Sequence, residues 1–346
     1  MREGPVTTGG AFIVASACVL LLACGGAGTG DDAGASSPLG AWKRAHALPV
    51  ARFEGDAVTA RGKVWFLGGI TGKLGDQSSA RESDSVEVYD PSTDTWSSGP
   101  KLPAGSARHH LALAVIDDRI YLVGGFTGII GGADVAGRFL PNAQTWVLDH
   151  DAWRRLADQP LARGAATAQV LAGKIYVVGG GSDEKGAFTD LLVYDPATDR
   201  WSDPKAPMPT EREHVASCAL DGKMIVAGGW SGEAKAVTGA VESYDPATNA
   251  WSKLAALPTA RGGMAAAVID RRCYVVGGER WDLGAPGTFD VVEAYDATTR
   301  TWSKLAPLPI ARHGVGVTTL GAALYVVGGG PIMGNSYTDD VEVFTP

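Results

Sequence analysis

Glu54 and Asp56 follow Arg52 by two and four positions, where equivalent places elsewhere in the chain hold His110, Ala165, His214, Gly263 and Gly314, then Ala112, Thr167, Ala216, Ala265 and Gly316. His109 and His110 directly follow Arg108. A carboxylate beside an imidazole can pass a proton near neutral pH. The same groups can bind a ligand or pair with Arg52 and Arg108. Acid–base work by Glu54, Asp56 and His110 therefore stands beside the plainer reading of charge pairing. His109, His110, His214 and His313 share no fixed ligand spacing, so no metal and no other cofactor is expected.

These residues sit inside a repeat. Glycine pairs end apolar runs at Gly68, Gly124, Gly179, Gly228, Gly277 and Gly328, at steps of 49 to 56 residues. Trp42, Trp96, Trp153, Trp201, Trp251 and Trp302 recur at steps of 48 to 57. An aromatic-Asp pair lies between the two series at Tyr89, Tyr194, Tyr244 and Tyr295, with Leu148 and Phe344 in the other copies. Arg52, Arg108, Arg163, Arg212, Arg261 and Arg312 precede the glycine pairs. Each unit reads as four short strands. Asp117-Asp118, Ala172-Gly173 and Asp221-Gly222 supply tight turns. Pro91, Pro196 and Pro246 follow the third strand, where no ladder donor is needed.

Units of about fifty residues carrying these markers in register resemble the kelch repeat. The resemblance implies an all-β, six-bladed β-propeller over residues 41–346, with four antiparallel strands per blade. One blade cannot bury both faces alone, so neighbours must stack on it. The chain stops at a third strand, VEVFTP, and Ala41–Pro49 reads as a fourth strand without its first three. Ala41–Pro49 is therefore expected to complete the last blade and close the ring.

In such a propeller the six arginines would ring one face near the channel mouth. One reading is an anion-binding funnel with bidentate Arg contacts. The plainer reading is structural: each Arg ties loop carbonyls or pairs with the Glu of Val-Glu-x-Tyr, at Glu87, Glu242, Glu293 and Glu342. The segments after Gly69 and Gly125 reach the aromatic-Asp position in 20 and 23 residues, against 14 to 17 elsewhere. Phe126, Trp230 and Trp281 begin such segments, and together with His109 and His214 they extend the candidate ligand surface. Aromatic faces beside charged groups suit sugars or peptides. The alternative is that they cap the neighbouring blade.

The chain has 346 residues, 45% hydrophobic and 20% charged, with a net charge of −8. This excludes a disordered chain and a basic nucleic-acid scaffold. The apolar run from Ala11 to Ala23 is about the length of a secretory h-region. Leu21-Leu22-Ala23-Cys24 resembles a bacterial lipobox, which implies a signal peptide over 1–23 and a lipid on Cys24. A Gly-, Ala- and Ser-rich tether over 24–40 and an outer-membrane address in the cell envelope follow from that resemblance. Cys218 and Cys273 fall on adjacent repeats. Two buried thiols are the favoured reading, with a disulfide permitted.

The function that fits is a binding module for a glycan or a protein segment on the Arg-lined face, a monomer held to the membrane by its lipid alone. The runner-up is a metal-free acid–base enzyme on sugars, since the kelch propellers include sialic-acid mutarotases. They also include galactose-oxidase-like copper enzymes, whose set of two Tyr, two His and a Tyr-linked Cys has no match here.

Overall fold

The apolar run before each glycine pair forms the second strand of a sheet, and its Val/Ile/Tyr content suits a strand buried on both faces. The computed structural model describes residues 39–73, 76–129, 138–182, 184–232, 236–281 and 287–346. The signal segment, Cys24 and all of the tether before residue 39 lie outside them. Among the described residues, six sheets each carry a four-stranded antiparallel path. Blade 1 runs Asp56–Ala60, Lys63–Leu67, Val86–Asp90 and Thr95–Ser98. Blades 2 to 5 repeat that order. Blade 6 takes Gly316–Leu320, Ala323–Val327 and Val341–Thr345 from the C-terminal end, and Ala41–Arg44 from the N-terminal end.

The expected closure is present. Ala41 pairs with Thr345 and Arg44 with Glu342, in antiparallel register. The innermost strands touch from blade to blade around the ring, including blade 6 against blade 1. Apolar side chains fill the space between blades, as where Leu111 and Leu113 of blade 2 meet Trp65 and Leu67 of blade 1.

The repeated aromatics hold the outer strands. Tyr89 packs on Trp96, Tyr194 on Trp201, Tyr244 on Trp251 and Tyr295 on Trp302, with centroids 5.2–5.3 Å apart. Each indole N–H of the series reaches back to the preceding blade's exit: Trp42 donates to Ala306 O at 3.0 Å, and Trp251 to Ala206 O at 2.8 Å. The Trp is therefore both packing surface and stitch, which is why it recurs.

Gly277 shows why the first glycine of each pair tolerates no side chain. Its φ is +66°, and a Cβ there would lie 2.4 Å from the carbonyl oxygen of Arg312 in the next blade. Blades meet backbone to backbone at this point.

Cys218 on the inner strand of blade 4 is disulfide-bonded to Cys273 on the second strand of blade 5. This corrects the expectation of two buried thiols. Strand periodicity gave their elements, but not that the two Cβ atoms face each other across the blade interface.

Candidate functional site

The six arginines are buried, at 0–1% exposure. Each guanidinium binds the carbonyl of the first glycine in its own blade; Arg108 reaches Gly124 O and Arg212 reaches Gly228 O, both at 2.9 Å. Arg212, Arg261, Arg52 and Arg312 also pair with Glu242, Glu293, Glu87 and Glu342. In blade 2 Gln144 takes that place, and in blade 3 Arg163 binds the Asp190 carbonyl. The backbone carbonyl of each Arg accepts the N–H of the second glycine in the preceding blade, as Arg261 O does from Gly229 at 2.9 Å. The arginines therefore bridge blades. Of the two readings of the Arg series, the anion-binding funnel is corrected and the structural tie stands: no guanidinium of the series is open to solvent, and each donates to a glycine carbonyl that would otherwise be unsatisfied.

Two residues beyond each Arg, the chain forms a second ring. Glu54, His110, Ala165 and His214 hold φ between 50° and 54°, and Gly263 and Gly314 hold 65° and 56°. Each N–H donates to the equivalent carbonyl of the preceding blade: Glu54 to Gly314, His110 to Glu54, Ala165 to His110, His214 to Ala165, Gly263 to His214 and Gly314 to Gly263, at 2.8–3.1 Å. This cyclic set of six bonds frames the channel mouth. The left-handed backbone is costly for a non-glycine residue. Glu54, His110, Ala165 and His214 occupy it where Gly263 and Gly314 serve in the other two blades.

Above the ring lies a cavity of about 340 Å³. Its walls are Phe53, Phe126, Phe139, Trp230 and Trp281. Its polar groups are Glu54, Glu213, Glu279, His110, His214 and His313. Trp281 is 48% exposed at the rim and stands edge-on to buried Trp230, centroids 6.3 Å apart. Trp230 in turn covers His214, at 4.1 Å. A channel of about 550 Å³ continues inward between the six inner strands. It is lined mostly by small residues such as Ala112, Ala166 and Ala265, with Asp56 among them.

The proton arrangement follows from fixed acceptors. His109 Nε2 lies 2.9 Å from Gly128 O, and a carbonyl only accepts, so Nε2 carries the hydrogen. The Nδ1 atoms of His109 and His110 are in contact, so one of the two carries the hydrogen between them. His110 Nε2 is left facing Glu54 Oε2 at 3.2 Å. That contact requires a proton on one of the two. Burial raises the Glu54 carboxyl above its ordinary range, against the opposing pull of His313. A carboxyl and an imidazole in this contact are groups of the kind that serve as general acid and base.

On the other side, His313 Nδ1 sits 3.5 Å from Glu54 Oε1 and 3.2 Å from Glu279 Oε1. Burial alone would lower this imidazole, but the Glu279 and Glu54 carboxylates overcome it and hold it at about 10. Asp56 is pushed up to about 7 by desolvation in the channel wall, although it accepts the backbone N–H groups of Ala57 and Leu113.

The structure brings Glu54, His110, His214, Phe126, Trp230 and Trp281 into one cavity. His109 is fully buried behind it, against Phe126 and Phe139. Asp56 lies in the channel rather than the cavity. It does not share a strand face with Glu54, since Glu54 is left-handed and precedes the strand that begins at Asp56. Glu213, Glu279, Phe53 and Phe139 were not singled out from sequence. Glu279 carried a signal: it follows the glycine pair, where the other copies hold Ile70, Phe126, Gly181, Trp230 and Gly330.

This fold and repeat define a kelch-type β-propeller. The KLHDC2/KLHL20/DRC7 Kelch-repeats domain matches residues 128–330, and a Kelch motif matches 52–103. The chain belongs to the kelch-repeat family. Kelch-like protein terF of Aspergillus terreus is 27% identical over 89% of this chain and 56% of its own length. The human Kelch repeat and BTB domain-containing protein 12 is 29% identical over 46% of this chain and 27% of its own. The chain thus spans about half or less of the curated relatives it matches. The solved structure of YjhT superimposes with a TM-score of 0.71 at 19% identity, covering 87% of this chain and 96% of that one.

Proposed function

We propose that this propeller is a binding module whose mouth cavity takes one neutral sugar unit of a glycan. The observation that carries the reading is the pairing of the Trp230, Trp281, Phe126 and Phe139 walls with the carboxylates and imidazoles of Glu54, Glu279, His110 and His214. Aromatic faces stack on the apolar face of a pyranose, and the carboxylates and imidazoles accept and donate to its hydroxyls. Three carboxylates and no arginine among the described residues that line the cavity favour a neutral or amino sugar over an acidic one. The test is a panel of neutral, amino and acidic glycans against wild type and Trp281→Ala. Binding of a neutral or amino glycan, weakened about tenfold by Trp281→Ala, supports the reading. Binding confined to acidic glycans or to a protein partner, or binding unchanged in Trp281→Ala, overturns it.

A second reading rests on the Glu54–His110 contact. A group that holds one shared proton beside a sugar-sized cavity can act as acid and base in anomer exchange. Exchange measured by NMR should exceed the buffer rate and fall to it in Glu54→Gln; a rate equal to buffer in wild type rejects it.

The module is further proposed to be exported and lipid-anchored at Cys24. The lipobox-like Leu21–Cys24 supports this, and so does the Cys218–Cys273 disulfide, since such bonds persist outside a reducing cytosol. Mass spectrometry of the N-terminal peptide should find a diacylglyceryl cysteine. A chain retaining residues 1–23 would contradict it.

A further inference from the structure

We infer that Glu54, Glu279 and His313 form a binding site for a divalent first-row transition-metal ion, of which Zn²⁺ is the best fit. The three residues come from three blades and meet at the cavity floor. One ligand atom from each can be chosen so that all lie within 4.8 Å of one another. Metal–ligand bonds of roughly 2.0–2.2 Å place neighbouring ligand atoms roughly 3.0–3.5 Å apart. The His313 Nδ1 separations from the two carboxylates, 3.2 and 3.5 Å, fall at that spacing.

Two further observations point the same way. His313 Nε2 lies 3.2 Å from Ile332 O. A backbone carbonyl holding the far ring N–H fixes Nδ1 as the ligand atom, and Nδ1 gives up its proton to solvent when the metal binds. Glu279 is 2% exposed, and its Oε2 is buried without a hydrogen-bond partner. An unmatched carboxylate oxygen at that depth is costly, and a cation between the carboxylates satisfies it. The donor set of one imidazole and two carboxylates suits Zn²⁺ or Mn²⁺ and does not suit Ca²⁺, which prefers oxygen alone. The cavity leaves room above the three ligands for water in the remaining positions.

Glu54 also faces His110, and Glu54, His110 and His214 make a second close group. The experiment separates the two. Full-length protein stripped with chelator is titrated calorimetrically with Zn²⁺, and with Ca²⁺ as a control, in the absence of any sugar. Its outcome is therefore independent of the glycan reading. One Zn²⁺ per chain at micromolar affinity is expected, weakened about 100-fold in Glu279→Gln and in His313→Gln and retained in His214→Ala. Each variant is first checked for a cooperative melt. Should Glu279→Gln fail to fold, His313→Gln decides. No Zn²⁺ bound by wild type at about 1 mM, binding unchanged in the folded variants, or loss in His214→Ala instead, overturns the assignment.

Discussion

The N–H of Glu54, in the first blade, donates to the carbonyl of Gly314, in the last, at 2.8 Å. That bond completes the six-membered backbone ring at the mouth and carries a carboxylate to a place where a glycine stands in two other blades. Closure of the fold and construction of the candidate site are the same event here. The residue that seals the ring also presents Oε1 to His313 and Oε2 to His110.

The N-terminal strand should matter beyond its length. Trp42 packs on Phe344 at 4.9 Å and donates to Ala306 O in blade 5. Deleting residues 41–49 exposes the edge of the third strand of blade 6 and removes these contacts together. A drop in melting temperature of about 6 °C or more is expected by calorimetry, from a loss of about 4 kcal/mol. An unchanged melt contradicts closure by this strand.

The arginines should behave as core residues. Arg212→Met leaves Glu242 buried and unpaired, at a cost of about 3–5 kcal/mol. Adding Glu242→Leu removes the stranded charge and should restore part of the loss, which a double-mutant cycle in denaturant measures. Equal stability of wild type and Arg212→Met would mean that the guanidinium is not holding the blade.

The outer stitches should differ between blades in acid. Asp94 accepts from Tyr89 Oη and from His46 N–H, and Asp199 from Tyr194 Oη and Ala157 N–H. The Tyr89 hydroxyl beside Asp94 and the Ala157 N–H beside Asp199 hold these carboxyls below their ordinary range. A depressed carboxyl adds stability above its unfolded value near 3.8 and loses it as pH falls through the lower folded value. In blade 4 Asn249 accepts the same two bonds, from Tyr244 Oη and Ala206 N–H, without titrating. Asp94→Asn with Asp199→Asn should therefore flatten the fall of stability between about pH 4 and 2, read from melting temperature against pH. A slope equal to wild type would contradict it.

The disulfide closes a sequence separation of 55 residues. Cys218→Ser with Cys273→Ser should cost about 4 kcal/mol if the unfolded chain alone sets the effect, and less where it retains structure. Melting with and without reductant checks this; a wild type insensitive to reductant while the double variant is also unchanged would contradict a stabilising bond.

The blade plan was legible because it is written six times. Glycine, Trp and Arg serve the same contact in each copy, and Tyr does so in four, so spacing alone placed the strands and even the shared last blade. The site was half legible. Glu54, His110 and His214 stood out as departures from a small-residue position, and Trp230 and Trp281 as aromatics after the glycines. The Arg ring left two readings open, a solvent-facing funnel and a structural tie, because a sequence gives the position of a side chain in the repeat and not its burial. Glu279 and Phe139 lie on second-to-third-strand segments that vary in length, so no register brought them beside Glu54. Their proximity arises only when the ring closes.

The most direct test of the mouth cavity as the functional site is to locate a bound ligand. A crystal structure of the protein with the tightest-binding glycan of the panel should show a sugar ring against Trp281 and Trp230, with its hydroxyls within hydrogen-bond reach of Glu54 or His110. A ligand bound on the outer strands, at the opposite end of the channel, or on any surface away from these residues would contradict the account.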